Sequence, residues 1–406
     1  MKNILIASLL LITVSSFAQT KKAVFIIIDG IPADLIERLN APTIKEISKG
    51  GGFVHAYCGG EKGTYDETPT ISAVGYTTIL TGTWVNKHNV WDNDGIKENY
   101  NYKTIFRYLK DIDPSKKIAI FSTWLDNRTI LCGDGLPETN NLRFDYAFDG
   151  LELDTVHYPH DKNADYIKYI DDTVSTVAGE YIKANGPDLS WVYLEHTDDM
   201  GHRYGDSKQY YDAIEAADTR IKKVWDAIQY RKKQFGEDWL IIITTDHGRD
   251  SSGHNHGGQS DREKNGWIAT NAKNLNAEFK TDPASQADIM PAIANFMNIS
   301  IPKENAMEID GTSFIGTISA NKPTTKLENG KITINWNAVT KEGNAKLWLA
   351  TTNNFKTGGK DEYKMVAEIP LSKQQAIIDV SKMPSAFYKI VIETPTNILN
   401  RWIAVK

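Results

Sequence analysis

The side chains best able to do chemistry are Asp29, Ser72, Asp198, His202, Asp246, His247, His254 and His256. Ser72 lies in Thr68-Pro-Thr-Ile-Ser72-Ala-Val-Gly-Tyr-Thr-Thr-Ile-Leu-Thr-Gly82. That stretch opens with turn-prone, hydroxyl-rich residues, gains apolar positions at Val74, Ile79 and Leu80, and stops at Gly82. It reads as a loop feeding a short helix with Ser72 in the first turn. A hydroxyl there sits among unpaired N–H groups at the positive end of the helix dipole, where anions bind and an alkoxide is favoured. The plainer reading is an N-cap serine. Three expected strands end in acidic or imidazole side chains: Asp29, the Asp198/His202 pair and the Asp246-His247 pair, with His254 and His256 in a loop soon after. Taken singly, each is an ordinary turn or loop residue. Gathered at one sheet edge, the carboxylates would repel without a cation, and their mixture with imidazoles suits two zinc-like ions.

The elements that must position these groups follow from periodicity. Lys22-Ala-Val-Phe-Ile-Ile-Ile-Asp29-Gly30 is a continuous apolar run ending in a carboxylate, the pattern of a parallel strand covered on both faces. Its carboxyl end is where open α/β sheets hold ligands. Helices are expected from Pro32 to Leu39, Thr43 to Ser48, Tyr102 to Asp111, Ala164 to Ala184, Lys208 to Gln234 and Ala284 to Met297. Strands are expected at Phe53 to Tyr57, Lys117 to Ser122, Leu189 to Leu194, Trp239 to Thr245 and Gly266 to Ala269. Trp84 to Asp94 reads as loop, and residues 126–163 as an insertion bordering a site. The alternation implies an α/β fold: a mostly parallel sheet with helices on both faces. From Thr324 the texture changes to short, evenly spaced strands, as in a small antiparallel β-sandwich of fibronectin type III-like kind. The expected organisation is a signal peptide at 1–18, a catalytic domain at 19–318 and the sandwich at 324–406, with a linker from Ser319 to Thr324.

Length, charge and leader narrow the class. The 406 residues hold 46 basic and 52 acidic side chains, and a net charge of -6 excludes a general nucleic-acid binding surface. Lys2, the apolar run from Ile4 to Val14 and Ser15-Ser-Phe-Ala18 form a secretory signal with cleavage after Ala18. The run is too short to span a membrane comfortably, so the expectation is a secreted or periplasmic protein with no span after cleavage. Cys58 and Cys132 can either pair in an oxidising compartment or stay as separate buried thiols.

In order and spacing the chemical residues resemble the alkaline phosphatase superfamily, and within it the nucleotide pyrophosphatase/phosphodiesterase-like branch. The resemblance covers roughly residues 22–318. It rests on strand-Asp29-Gly30, Ser72 before Thr81-Gly82, Asp198-x-x-Gly201-His202-x-x-Gly205, Asp246-His247-Gly248, and His256-Gly-Gly followed by Trp267-Ile-Ala. Asp288-Ile-Met-Pro291 is similar to the family's closing helix. The resemblance implies two zinc ions, one on Asp198, His202 and His256, the other on Asp29, Asp246 and His247, with Ser72 Oγ completing the second as nucleophile. His254 competes with His256, which is preferred because the family motif places Gly-Gly after its histidine. Asn93 falls where the family has an amide that donates to a phosphoryl oxygen; the alternative is a turn residue in Asp-Asn-Asp.

The implied function is an exported two-zinc phosphoric ester hydrolase acting on a small phosphorylated substrate through a phosphoseryl intermediate, with the phosphodiesterase/nucleotide pyrophosphatase type preferred. Nucleotide-cleaving members usually carry Thr followed by an aromatic residue, whereas here Ser72 is followed by Ala73. The CxPxR-like context of a sulfatase is absent, and phosphoglycerate mutase activity fits poorly with export. A phosphomonoesterase is the alternative; it would need extra cations, for which Lys62, Lys87, Arg128 and Arg203 are the candidates. The alternative of another class is a non-catalytic exported binding protein, with the sandwich as its working part.

Overall fold

The computed structural model describes residues 19–405 apart from 277–278 and 280–282. The expected signal peptide at 1–18 lies outside the described residues. In chain order the body contains β1 (Lys21–Ile28), α1 (Ala33–Arg38), α2 (Pro42–Gly50), β2 (Gly52–Tyr57), α3 (Ser72–Thr81), α4 (Val85–His88), α5 (Ile105–Ile112), β3 (Ile118–Ser122) and β4 (Tyr146–Phe148). There follow α6 (Asp165–Asn185), β5 (Leu189–Leu194), α7 (His196–Tyr204), α8 (Lys208–Phe235), β6 (Asp238–Thr244), β7 (Asn265–Thr270), β8 (Ala284–Ser285) and α9 (Ile289–Met297).

These strands form one sheet in the order β4-β3-β5-β1-β6-β7-β2-β8. Strands β4 to β6 pair in parallel, while β7 runs antiparallel to both β6 and β2. Strand β1 shows why its apolar run is continuous. Ala23, Phe25 and Ile27 enter one core with α3, α5 and α9. Val24, Ile26 and Ile28 enter the other with α6 and α8. Side chains alternate along a strand, so a sheet covered on both faces has no polar row to spare.

Several local expectations are corrected. Residues 126–163 contain β4, an edge strand of only three residues that hydrophobic periodicity cannot register. The Trp84 to Asp94 loop includes the one-turn helix α4. The expected helix from Ala284 begins instead as β8 and a tight turn, where Ser285 and Asp288 form a capping box before α9 starts at Ile289.

The C-terminal region holds β9 (Ala320–Glu328), β10 (Lys331–Ala338), β11 (Asn344–Ala350), β12 (Lys364–Pro370), β13 (Gln375–Asp379), β14 (Phe387–Glu393) and β15 (Ile398–Ala404). They pair antiparallel as β13-β10-β9 and β12-β11-β14-β15 and close over one core that includes Ile332, Trp336, Leu347 and Ile390. The expected linker is not free chain: Asn321 and Thr324 pair with Asn337 and Asn335 inside β9. Cys58 and Cys132 are separate buried thiols.

Candidate active site

Strands β1, β5 and β6 are neighbours and parallel, so their carboxyl ends lie side by side. Asp29 follows β1, and Asp246-His247 follow β6. Asp198 and His202 ride on α7, which sequence reading treated only as the end of a strand. Their i,i+4 spacing puts both on one helix face, with His202 Nε2 3.2 Å from Asp198 Oδ2. The loop after β6 brings His256 across, its Nε2 2.9 Å from that of His202 and 3.8 Å from Asp198 Oδ1.

Helix α3 supplies Ser72. Every residue of α3 is buried, and Thr77, Thr78 and Thr81 satisfy their hydroxyls on the carbonyls of Ala73, Val74 and Thr77. The helix presses onto the end of β6 at Gly75, where a Cβ would lie 2.7 Å from the Asp246 carbonyl oxygen. Ser72 is the first helical residue; the N-cap is Ile71, so the plainer reading of Ser72 as a cap does not describe it. Its Oγ lies 3.2 Å from His247 Nε2. That same nitrogen is 3.4 Å from Asp29 Oδ1 and 3.2 Å from Asp246 Oδ2.

Two sets of donor atoms are close enough to share an ion: Asp29, Asp246 and His247, and Asp198, His247 and His256. The second differs from the sequence expectation by including His247, although His202 stands in contact with both Asp198 and His256. His254 faces away, its Nδ1 on the His202 carbonyl at 3.0 Å. His256 Nδ1 is held by the Thr70 carbonyl at 2.8 Å, which turns Nε2 toward the cluster.

The residues fit cations on a further ground. Asp29 Oδ1 and Asp246 Oδ2 are buried without a hydrogen-bond partner, although buried polar atoms are almost always paired. Burial first, then Asp246 and Asp198, raise the Asp29 carboxyl well above its usual range. Burial, with Asp198 adding to it, pushes Asp246 up to about 7. Burial also opposes ionisation of Asp198, but the Arg249 guanidinium and His202 outweigh it and hold that carboxyl low. His247 is held well below its ordinary value by burial and by His256, so it is neutral and able to donate a lone pair. Carboxylates that burial and mutual repulsion push up, beside a neutral His247, are groups whose charge a cation would balance.

Asn93 stands at the rim, exposed, with its Oδ1 accepting the Ala73 N–H at 2.9 Å. It lines, with Ser72, Tyr76, Trp124, Tyr193 and Glu195, a cavity of about 220 Å³.

The type I phosphodiesterase / nucleotide pyrophosphatase family matches residues 23–282 of this chain. The chain belongs to that family. Among solved structures, Ps i-CgsB in complex with k-i-k-neocarrahexaose is 16% identical with a TM-score of 0.52, covering 80% of this chain and 85% of its own. Murine ectonucleotide pyrophosphatase / phosphodiesterase 5 is 14% identical with a TM-score of 0.47, covering 70% and 96%. BT1596, a 2-O GAG sulfatase, is 10% identical with a TM-score of 0.49, covering 90% and 86%. At such identities the first of these shows a shared fold alone.

This phosphodiesterase-family chain adds residues that sequence reading missed. Tyr76 and Tyr193 both donate to Asp29 Oδ2, the second at 2.7 Å, which leaves Oδ1 to face His247. Tyr76 is one helical turn after Ser72 in a stretch already singled out, so its signal was present. Arg249, directly after Asp246-His247-Gly248, is fully buried and bonded to Asp198.

Proposed function

We propose that this protein is an exported two-zinc phosphodiesterase that cleaves a small phosphoric diester through a phosphoserine at Ser72. The observation that carries the reading is the convergence of Ser72 Oγ with Asp29, Asp246, His247, Asp198, His202 and His256 at one sheet edge. Asp29, Asp246 and His247 would hold one ion, and Asp198, His202 and His256 the other. Bound there, the ions supply Lewis-acid stabilisation of negative oxygen.

The chain's own groups do the rest. Burial fixes Ser72 at the start of α3, where the positive end of the helix dipole favours negative charge on nearby oxygens. Ser72 Oγ, its proton lost to solvent, attacks phosphorus. The P–O bond to the leaving group breaks, and the departing alkoxide takes a proton from water. Water then attacks the phosphoserine from the opposite side, breaking the Oγ–P bond to release the phosphomonoester and restore the Ser72 hydroxyl. Because Asn93 Oδ1 is engaged by the Ala73 N–H, its NH₂ is the part left to donate to a phosphoryl oxygen.

Diester preference over the monoesterase alternative is supported by where the candidate cations lie. Lys87 is buried against Asp310 at 2.6 Å. Arg128 is tied to Asp134 and Asp149, both at 2.7 Å. Lys62 and Arg203 are exposed, and among the described residues no Lys or Arg lines the Ser72 cavity. A monoester dianion would find little to match its second charge. The Ser72 surroundings lack a sulfatase CxPxR context. The export reading rests on residues 1–18; no helix among the described residues is long and apolar enough to cross a membrane. Residues 19–318 are assigned as the catalytic unit and the strands from Ala320 onward as a sandwich without chemistry of its own.

The test is turnover of bis-p-nitrophenyl phosphate against p-nitrophenyl phosphate by zinc-loaded wild-type and Ser72→Ala protein. Faster diester turnover, its loss in the folded variant, and its loss and recovery on chelation and zinc return are expected. Substantial activity of Ser72→Ala would remove Ser72 from its role, and a preference for the monoester would favour the phosphatase alternative.

A further inference from the structure

The two donor groups are not equivalent, and Arg249 is the reason. Its side chain lies between two backbone segments that carry no Cβ: one added at Gly30 would sit 2.8 Å from Nη2, and one at Gly201 would collide with the guanidinium carbon. Nε donates to the Gly30 carbonyl at 3.0 Å and Nη1 to the His254 carbonyl at 3.2 Å. Nη2 donates to the Asp198 carbonyl at 2.7 Å and also to Asp198 Oδ1. One fork therefore ties the end of β1, helix α7 and the loop bearing His256.

Asp29 and Asp246 each keep a buried carboxylate oxygen free of protein donors. The other oxygen of Asp29 accepts from the Tyr76 and Tyr193 hydroxyls and that of Asp246 from the Gly30 N–H, all neutral donors. Asp198 Oδ1 instead accepts from Arg249, which stays charged at any working pH. A hydrogen-bond partner can sharpen a metal ligand by orienting it. Here the partner also carries a fixed positive charge, buried against the ligand itself. Repulsion between that charge and a divalent ion, across a few ångströms of poorly screened interior, works against what orientation returns.

Resting on the two-ion reading above, we infer that Arg249 sets an order of affinity, making the Asp198/His202/His256 group the weaker and later-filled of the two. Arg249 is thus a positioning residue that takes one oxygen of Asp198 and tunes the second ion's hold, and it touches no reacting atom. The chain keeps three carboxylates together while drawing less on the second ion than three free carboxylates would.

The experiment titrates the full chain, stripped with a chelator, with zinc in competition with a chromophoric chelator. Two steps separated about 10- to 100-fold are expected. His256→Ala should remove the weaker step and Asp246→Asn the tighter one. Arg249→Gln keeps a donor but loses the charge and should draw the steps together by strengthening the weaker; Arg249→Lys keeps the charge and should leave them apart. Should Arg249→Gln not fold, the wild-type separation and the His256→Ala assignment still decide. Equal steps in the wild type, loss of the tighter step in His256→Ala, or a still weaker second step in Arg249→Gln would each overturn the inference alone. No zinc uptake at all by the wild type would overturn the two-ion reading and this inference with it.

Discussion

Gly75 is where the nucleophile helix meets the strand end that carries Asp246, so Gly75→Ala tests whether that contact sets the site. The new Cβ would lie 2.7 Å from the Asp246 carbonyl oxygen and 2.9 Å from Asp246 Cβ. Ordinary contact needs roughly 3.5 Å, so helix or strand end must yield by about 0.5–1 Å. The strand end cannot yield freely. Gln286 Nε2 pins it by donating to the carbonyls of Thr245, at 3.0 Å, and Asp246. Helix propensity works the other way, favouring Ala over Gly by about 0.8–1 kcal/mol. Overpacking a close-packed contact costs about 1–3 kcal/mol, and a pinned neighbour puts this case toward the upper end. The net expectation is a loss of about 1–2 kcal/mol in urea unfolding. Because the displacement moves Ser72 relative to His247, diester turnover should fall about 100-fold with zinc content little changed. A variant about 1 kcal/mol more stable than the parent, with unaltered turnover, would refute the reasoning: propensity would have acted with no clash to oppose it.

Two further outcomes follow from the same geometry. His256→Ala should lower bound zinc, measured by elemental analysis, more than His254→Ala, because only His256 turns a ring nitrogen into the cluster; the reverse result would exchange their roles. In metal-stripped protein, burial and neighbouring carboxylates hold Asp246 at about 7 and Asp29 well above its usual range. At these two carboxyls the native state binds more protons than the unfolded chain between about pH 4 and 7. Their contribution to stability is therefore highest at the acid end and falls as pH rises, by up to about 1.4 kcal/mol per unit per proton, while the buried histidines held low contribute in the opposite sense. In denaturation curves across that window the stability of the stripped parent relative to stripped Asp246→Asn should fall as pH rises; a difference that stays flat or rises toward pH 7 would contradict the assignment.

What was legible in the sequence is what local pattern and local spacing determine. The β1 run announced a strand buried on both faces because successive residues feed two separate cores. Asp29 and Asp246-His247 were readable because each lies within three residues of a strand end. Helix α7 was not readable: His196-Thr-Asp-Asp-Met-Gly-His-Arg-Tyr has no apolar stripe, and it is helical because its ends and one face are held by the body around it. Strand β4 is too short for any period. Arg249 was invisible because its partners, Gly30 and Asp198, lie 219 and 51 positions away.

Lys87 shows most clearly why residue type alone misleads. In sequence it was a candidate cation for a phosphate; in the fold it has no exposure, and it donates to Asp310 at 2.6 Å, to the Glu308 carbonyl at 2.7 Å and to Asn400 at 3.0 Å. Strand β15 supplies that last partner and more. Trp402 stacks on Tyr65 at 5.7 Å and lies 4.6 Å from the Lys87 ammonium, while Arg401 reaches Asp66 at 3.0 Å. The chain before α3 and the chain after it are thus both gripped by one strand of the C-terminal sandwich. A buried ammonium persists only where its partners are complete, since leaving one charge unpaired costs several kcal/mol. A mere spacer would meet the body through a wet, replaceable surface. This sandwich instead supplies Asn400 to the buried Lys87 ammonium after α3 and Arg401 to Asp66 before it, so it braces the chain on both sides of the helix that carries Ser72.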